Sequence, residues 1–203
     1  MAKGDIMPYR GNAGNSVNPV LDTLSAPLAA AATFVQGEPV FINLAGSLAE
    51  SPATATGPIA SDFAGIAAQS GDTVGATDPI GNFRIPLGLF TPGLSANAPV
   101  AGDMTMFWKA SVGQKLRSRR FSTDGTGAAI VAPVAANRGD MVGLMFNAGN
   151  WGFDGNAATT KLGIITDILD AAGEDIQRSG LAGVEVIVEV AQSRWNTVAA
   201  PSA

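Results

Sequence analysis

From residue 26 onward, short apolar runs alternate with turns rich in Gly, Pro, Asn and Asp, which is the pattern of an all-β sandwich or barrel. The last run is the clearest, because alternate valines from Val184 to Val190 place apolar side chains on one face of a strand. The predicted strands lie near residues 28–35, 39–44, 63–69, 83–90, 104–110, 114–121, 141–146, 161–169 and 183–191. The pattern therefore predicts an all-β fold, a β-barrel or β-sandwich, with a jelly roll as one form.

The segment 164–172 fits two interpretations. The spacing of Ile164, Ile165 and Ile168 also matches the stripe of an amphipathic helix. The short length and the β-branched residues favour a strand that runs into a turn. The stretches 45–62 and 70–82 lack periodicity and are predicted to be long surface loops, which tend to be functional or held by a partner.

Residues 1–25 are predicted to form an extended N-terminal arm, since Gly, Asn and Pro interrupt them too often for a regular element. Residues 26–203 would form a β-rich domain, or two small β subdomains with a boundary near residue 100. An extended arm can lie along a neighbouring subunit and add main-chain hydrogen bonds to it. The arm residues expected to contact a partner are Met7, Pro8, Tyr9 and Arg10. We expect no membrane association, because no apolar run approaches the roughly 20 residues that span a bilayer.

The composition argues against most catalytic and metal-binding chemistry. The chain has no His and no Cys, which supply most zinc, copper and haem ligands, and a Ser-His-Asp triad cannot form without His. We therefore expect no enzymatic activity and no cofactor. Only 14% of residues are charged, and the mean hydropathy is +0.22. Burial of the surface by neighbouring subunits explains this low charge, since interface cores are depleted in charge; a surface rich in small polar residues is the alternative.

Positive charge is concentrated in the middle of the chain. Residues 104–138 hold six cations and one anion, whereas residues 1–103 and 139–203 each hold three cations and eight anions. In a strand over 114–121, Lys115, Arg117 and Arg119 would share a face and form a cationic stripe suited to an acidic partner surface. The candidate partner-binding cations are Lys115, Arg117, Arg119 and Arg120. Pairing with the acidic parts of the same protein is the alternative, and the pI of about 4.6 argues against nucleic acid.

Two further clusters have a functional and a structural interpretation. Asp167 with Asp170, and Glu174 with Asp175, resemble the paired carboxylates of glycosidases, but solvated charges at a turn are favoured. The segment Trp151–Asn156 combines aromatic residues with an Asp-Gly-Asn turn, as in a sugar-binding platform or a calcium loop. A turn with packed aromatic residues is favoured, because Asp-Gly and Gly-Asn are strong turn formers.

The segments GEPVFI (37–42) and FAGIA (63–67) resemble the decoration, or cement, proteins of tailed-bacteriophage capsids. In that family such segments open one strand and form its return strand after a variable loop. The resemblance implies synthesis in the host cytoplasm and a place on the outer capsid surface, as homo-oligomers, trimers above all, bound to the major capsid protein. This chain departs from the family in its longer middle and its cationic strand. A virion spike or fibre component and a carbohydrate-binding module are the alternative functions.

Overall fold

The computed structural model describes residues 6–9, 23–50, 62–69, 71, 101–156, 161–176 and 181–195. These residues form strands joined by turns, with a short 3-10 turn at Ala135–Asn137. The strands are β1 (Ile6–Pro8), β2 (Thr23–Pro27), β3 (Pro39–Ile42), β4 (Leu48–Glu50), β5 (Phe63–Ala67), β6 (Met104–Lys109), β7 (Lys115–Ser118), β8 (Phe121–Ser122), β9 (Met141–Asn147), β10 (Asn150–Asp154), β11 (Gly163–Leu169) and β12 (Glu185–Val190). The predicted all-β class is confirmed.

The strands form two sheets. One has seven strands in the order β1-β7-β12-β11-β9-β10-β8, and the other has five in the order β2-β6-β5-β3-β4. Apart from β1, the chain completes the five-stranded sheet before it enters the seven-stranded one. Leu28, just after β2, makes a single bridge to Leu48 of β4, but among the described strands neither sheet closes into a barrel. Of the two predicted architectures, the barrel is therefore wrong.

The main hydrophobic core lies between the two sheets. Phe41, Phe63 and Ile66 of the five-stranded sheet share one buried cluster with inward-facing residues of the seven-stranded sheet, among them Leu116 and Val186. The rings of Phe41 and Phe63 have centroids 5.8 Å apart. This arrangement follows from the period of two, because alternate residues of each strand point to opposite faces.

A second core covers the other face of the five-stranded sheet. Val40, Ala64 and Phe107 point into it and pack with Phe34, which lies between β2 and β3. All five residues of β5 are consequently buried. A strand buried on both faces reads as a continuous apolar run, which is how β5 reads in the sequence.

The C-terminal segment after β12 joins the two sheets. The indole N–H of Trp195 donates to the carbonyl of Ala64 at 2.7 Å, and the indole stacks on Phe107. The guanidinium of Arg194 donates to the carbonyl of Ile42 at 3.1 Å. The last strand of one sheet is thereby tied to three strands of the other.

Several predicted strands are confirmed, one is wrong and one is correct only in part. The strand at 183–191 is β12, and the ambiguous segment 164–172 is the end of β11 followed by a turn. The predicted strand at 28–35 is instead irregular, with Ala31 at a φ of 58°, and the regular pairing falls earlier, in β2. The predicted strand at 114–121 is interrupted after Ser118. The strand predicted at 83–90 lies outside the described residues.

Part of the predicted arm belongs to the chain's own sheet. Met7 of β1 pairs with Arg117 of β7 in antiparallel register. The N–H of Tyr9 donates to the carbonyl of Lys115 at 2.9 Å, so the backbone of Pro8, one residue earlier, faces the open side of this edge strand. Proline lacks an N–H and is suited to that position, where it limits pairing with a further strand.

Candidate interaction surface

The face of the seven-stranded sheet that points away from the core carries three of the eight candidate partner-binding residues, Met7, Lys115 and Arg117; we call it the outer face. Its side chains form two cross-strand rows. One row runs Lys115, Glu189, Ile164, Met141, and the other runs Met7, Arg117, Ile187, Asp167. Met7, Met141 and Ile164 are exposed. The face is thus a mixture of charged and apolar groups on regular, mutually hydrogen-bonded strands.

Two of the predicted cations are paired within the chain. The ammonium of Lys115 lies 2.8 Å from a carboxylate oxygen of Asp167, and Nε of Arg117 lies 3.7 Å from one of Glu185. The guanidinium of Arg117 also contacts the sulfur of Met7 at 3.8 Å. For these two cations the alternative interpretation, pairing with acidic residues of the same protein, is confirmed.

The carboxyl group of Asp167 on the outer face has a lowered pKa. Partial burial alone would raise the pKa of its carboxyl group, but hydrogen bonds from Lys115 and Thr166, with the charges of Lys115 and Arg138, outweigh that effect. The pKa of Asp167 therefore lies below its ordinary value, and the ion pair with Lys115 persists at neutral pH.

Ile187 shows how tightly this network is packed. It occupies the outer face, between Arg117 and Asp167 in cross-strand register, yet none of its surface is exposed. Long charged side chains bury apolar surface beneath their methylene stems while their charged ends stay hydrated. The ion pairs consequently form an ordered part of the sheet surface.

The other predicted partner-binding residues lie elsewhere. Arg119 is exposed in the bend after β7 and so is not in line with Lys115 and Arg117. The backbone N–H of Arg120 donates to the Ser118 hydroxyl at 3.0 Å, and its carbonyl accepts from the N–H of Phe153 at 3.0 Å. The predicted stripe of three alternating cations is therefore wrong, because β7 ends at Ser118. Arg10 lies outside the described residues.

The segment Trp151–Asn156 is not a sugar platform. Trp151 and Phe153 are buried in the main core, and the ring of Trp151 lies 5.0 Å from that of Phe146. A sugar-binding aromatic ring must expose its face, so packed aromatic residues are the correct interpretation. The tight turn of this hairpin is at Ala148–Gly149, where both φ angles are positive, as a two-residue type I′ turn requires.

Asp154 and Asp124 organise the loop that follows β8. The buried carboxylate of Asp154 accepts the N–H groups of Gly125 at 3.0 Å and Asn156 at 2.6 Å. The carboxylate of Asp124 accepts the backbone N–H groups of Thr126 and Ala129, each at 2.7 Å. These backbone donors hold the pKa of Asp124 well below its usual range. Both carboxylates therefore stabilise the loop by accepting hydrogen bonds from its backbone N–H groups.

The paired carboxylates of the 167–175 region are also structural. Asp170 accepts the N–H groups of Ala172 at 2.8 Å and Glu174 at 3.0 Å, and Asp175 forms an ion pair with Arg138. The turn interpretation is thus correct for Asp170, whereas Asp167 lies in β11 and is paired with Lys115. Within the described residues, no group of three or more acidic side chains could hold a metal ion.

Sequence reasoning missed the apolar members of the outer face, Met141 and Ile164. Both are apolar residues in apolar runs, so the sequence gives no sign that they are exposed; the pairing of β9 with β11 brings the two exposed side chains together. No family model, curated protein or solved structure matches this chain. In the described part of the chain, no helix has the length and apolarity to cross a membrane.

Proposed function

We propose that this chain is a structural protein of a bacteriophage virion that binds the outer surface of the capsid as a decoration or cement protein. The observation that carries the proposal is the outer face, where Met7 from the predicted arm lies beside Lys115 and Arg117. One predicted arm contact and two of the predicted cations, which are far apart in sequence, thus share one surface.

The chemistry of the outer face suits a protein partner. Interfaces combine apolar contacts with polar groups that are already ordered, and here exposed Met7, Met141 and Ile164 surround fixed ion pairs. Ordering these groups in advance lowers the conformational cost of docking. The proposed role needs neither catalysis nor a cofactor, and the partners are the major capsid protein and other copies of the chain, with a trimer favoured by the family resemblance.

The proposal is tested with capsids of the virus that encodes the chain, prepared without it. The variant Ile164→Glu places a charge among the exposed apolar groups of the outer face. Leu44→Glu is the matched control, because Leu44 is 99% exposed in the turn between β3 and β4. We expect co-sedimentation of wild type and control with capsids and at least a tenfold weaker binding of Ile164→Glu.

Failure of the wild-type chain to bind such capsids would refute the proposal. Equal binding by Ile164→Glu and Leu44→Glu would show that the outer face is not the docking surface. Because Lys115 and Arg117 are already neutralised within the chain, we also expect capsid binding to change little between low and moderate salt.

A further inference from the structure

Two apolar segments, distinct in sequence from the strands of the outer face, form a second candidate surface. Residues 128–136 read AAIVAPVAA and residues 181–184 read LAGV, without a charged or hydrogen-bonding side chain. The two segments are neighbours, since Val134 bridges Ala182 and the N–H of Gly183 donates to the carbonyl of Pro133 at 2.7 Å. We call this surface the apolar ribbon.

The apolar ribbon faces solvent. In the first segment the residues from Ala128 to Ala132 are all exposed, as is Val134. In the second, Leu181 is 53% exposed and Val184 is 42% exposed. A run of exposed, consecutive apolar residues is unfavourable in an isolated soluble protein and marks an interaction site.

The ribbon is also held in a fixed conformation. The N–H of Val131 donates to the carbonyl of Phe121 at 2.9 Å, and the N–H of Ala129 donates to the Asp124 carboxylate at 2.7 Å. At the other end, the N–H of Val134 donates to the side chain of Asn137 at 2.9 Å. Polar backbone groups are thus bound to the protein while the apolar side chains point outward, which is the preorganisation that a binding surface requires.

We propose that the apolar ribbon is the surface through which the chain binds a second copy of itself. Ten of its residues are exposed, compared with the roughly 20–30 residues that each partner contributes to a standard interface. The ribbon can therefore supply the apolar core of such an interface, with a polar rim around it.

The chemistry of the ribbon favours a second copy over other occupants. The chain has a net charge of −5, so most contacts between copies bring like charges together, whereas the uncharged ribbon can face another copy without repulsion. Nucleic acid and anionic lipid surfaces require cations, and glycans require exposed aromatic rings; the ribbon has neither. This inference does not depend on capsid binding.

Sedimentation velocity from low micromolar to near-millimolar concentration provides the test. Leu181→Lys places a charge in the ribbon, and Leu44→Lys adds the same charge at an exposed site elsewhere. We expect wild type and Leu44→Lys to associate, and the dissociation constant of Leu181→Lys to rise about 100-fold. A monomeric wild type, or equal association by the two variants, would overturn the inference.

A second measurement decides the question if Leu181→Lys does not fold. The chain has no cysteine, so Leu181→Cys and Leu44→Cys each introduce a single thiol. Alkylation of the thiol at position 181 should slow at least tenfold as protein concentration rises and copies cover it, whereas the thiol at position 44 should react at a constant rate. A constant rate at both positions would contradict self-association through the ribbon.

Discussion

In the five-stranded sheet, β3 (PVFI) and β5 (FAGIA) are buried on both faces. In the seven-stranded sheet, β7 (KLRS) and β12 (EVIVEV) direct their charged residues to one face, and the residues between them are mostly apolar. The first sheet lies between two cores. The second has one face in the main core and carries ion pairs on the other.

This difference assigns stability mainly to the five-stranded sheet and leaves the outer face of the other sheet as the surface that we propose for recognition. Side chains of β3 and β5 have no free surface to offer a partner, so their identities are set by packing. The outer face of the seven-stranded sheet contributes less to the core, because its ion pairs are partly hydrated and exposed pairs contribute only ~0–1 kcal/mol each. Substitutions in the two sheets should therefore have unequal effects on folding.

The largest effect is expected from Phe63→Ala. Phe63 is fully buried between the sheets against Phe41, and its truncation should lower the free energy of unfolding by about 4 kcal/mol through lost burial and a cavity. Ile164→Ala on the outer face is the comparison and should cost less than about 1.5 kcal/mol. Urea denaturation followed by tryptophan fluorescence measures both; similar losses would contradict the proposed division between the sheets.

A somewhat smaller effect is expected from Gly65→Ala in β5. A Cβ atom at Gly65 would lie 1.9 Å from the carbonyl oxygen of Trp108 in the neighbouring β6. Because the clash is with backbone, β5 and β6 must separate, and we expect a loss of about 3 kcal/mol. Gly155→Ala is the matched control, since its Cβ would make an ordinary contact with the Phe121 ring at 3.6 Å. Equal melting temperatures for the two variants would show that the sheet relaxes without cost.

Local patterns in the sequence predicted much of the fold. The period-two valines located β12, and turn residues separated most strands, because both signals are local. Burial of Val186, Val188 and Val190 follows that period, whereas Val184, before the strand begins, is exposed. The position of β2 was missed because its sequence, TLSAP, contains few β-branched or aromatic residues and is ordered by pairing with β6.

The candidate site was only partly predictable, since pairing between distant segments creates it. Met7 lies next to Arg117 because β1 joins β7, a contact between residues far apart in sequence. The ion pair between Lys115 and Asp167 likewise crosses an intervening strand, β12. The apolar ribbon had a local signal, an apolar run without period, but sequence alone does not distinguish a buried run from an exposed one.

The smallest effect is expected on the outer face, at Asp167, and it should depend on pH. The pKa of Asp167 lies below its ordinary value of 3.8, so near that pH the unfolded chain binds more protons than the native one. Its contribution to stability is therefore complete above about pH 5 and is lost as the pH falls through the lowered native pKa. Because both groups are about one-third exposed, we expect a contribution of only ~0.5 kcal/mol after screening.

Asp167→Asn should accordingly reduce stability at pH 7 by that small amount and flatten its decline between about pH 5 and pH 2. A double-mutant cycle with Lys115→Met isolates the ion pair: Lys115→Met should lose only the part of the pH-dependent component that the ammonium supplies, whereas Asp167→Asn and the double variant should both lose all of it. If Asp167→Asn keeps the wild-type pH profile, the ion pair adds nothing to folding. Such a result would also mean that the native pKa of Asp167 is not lowered.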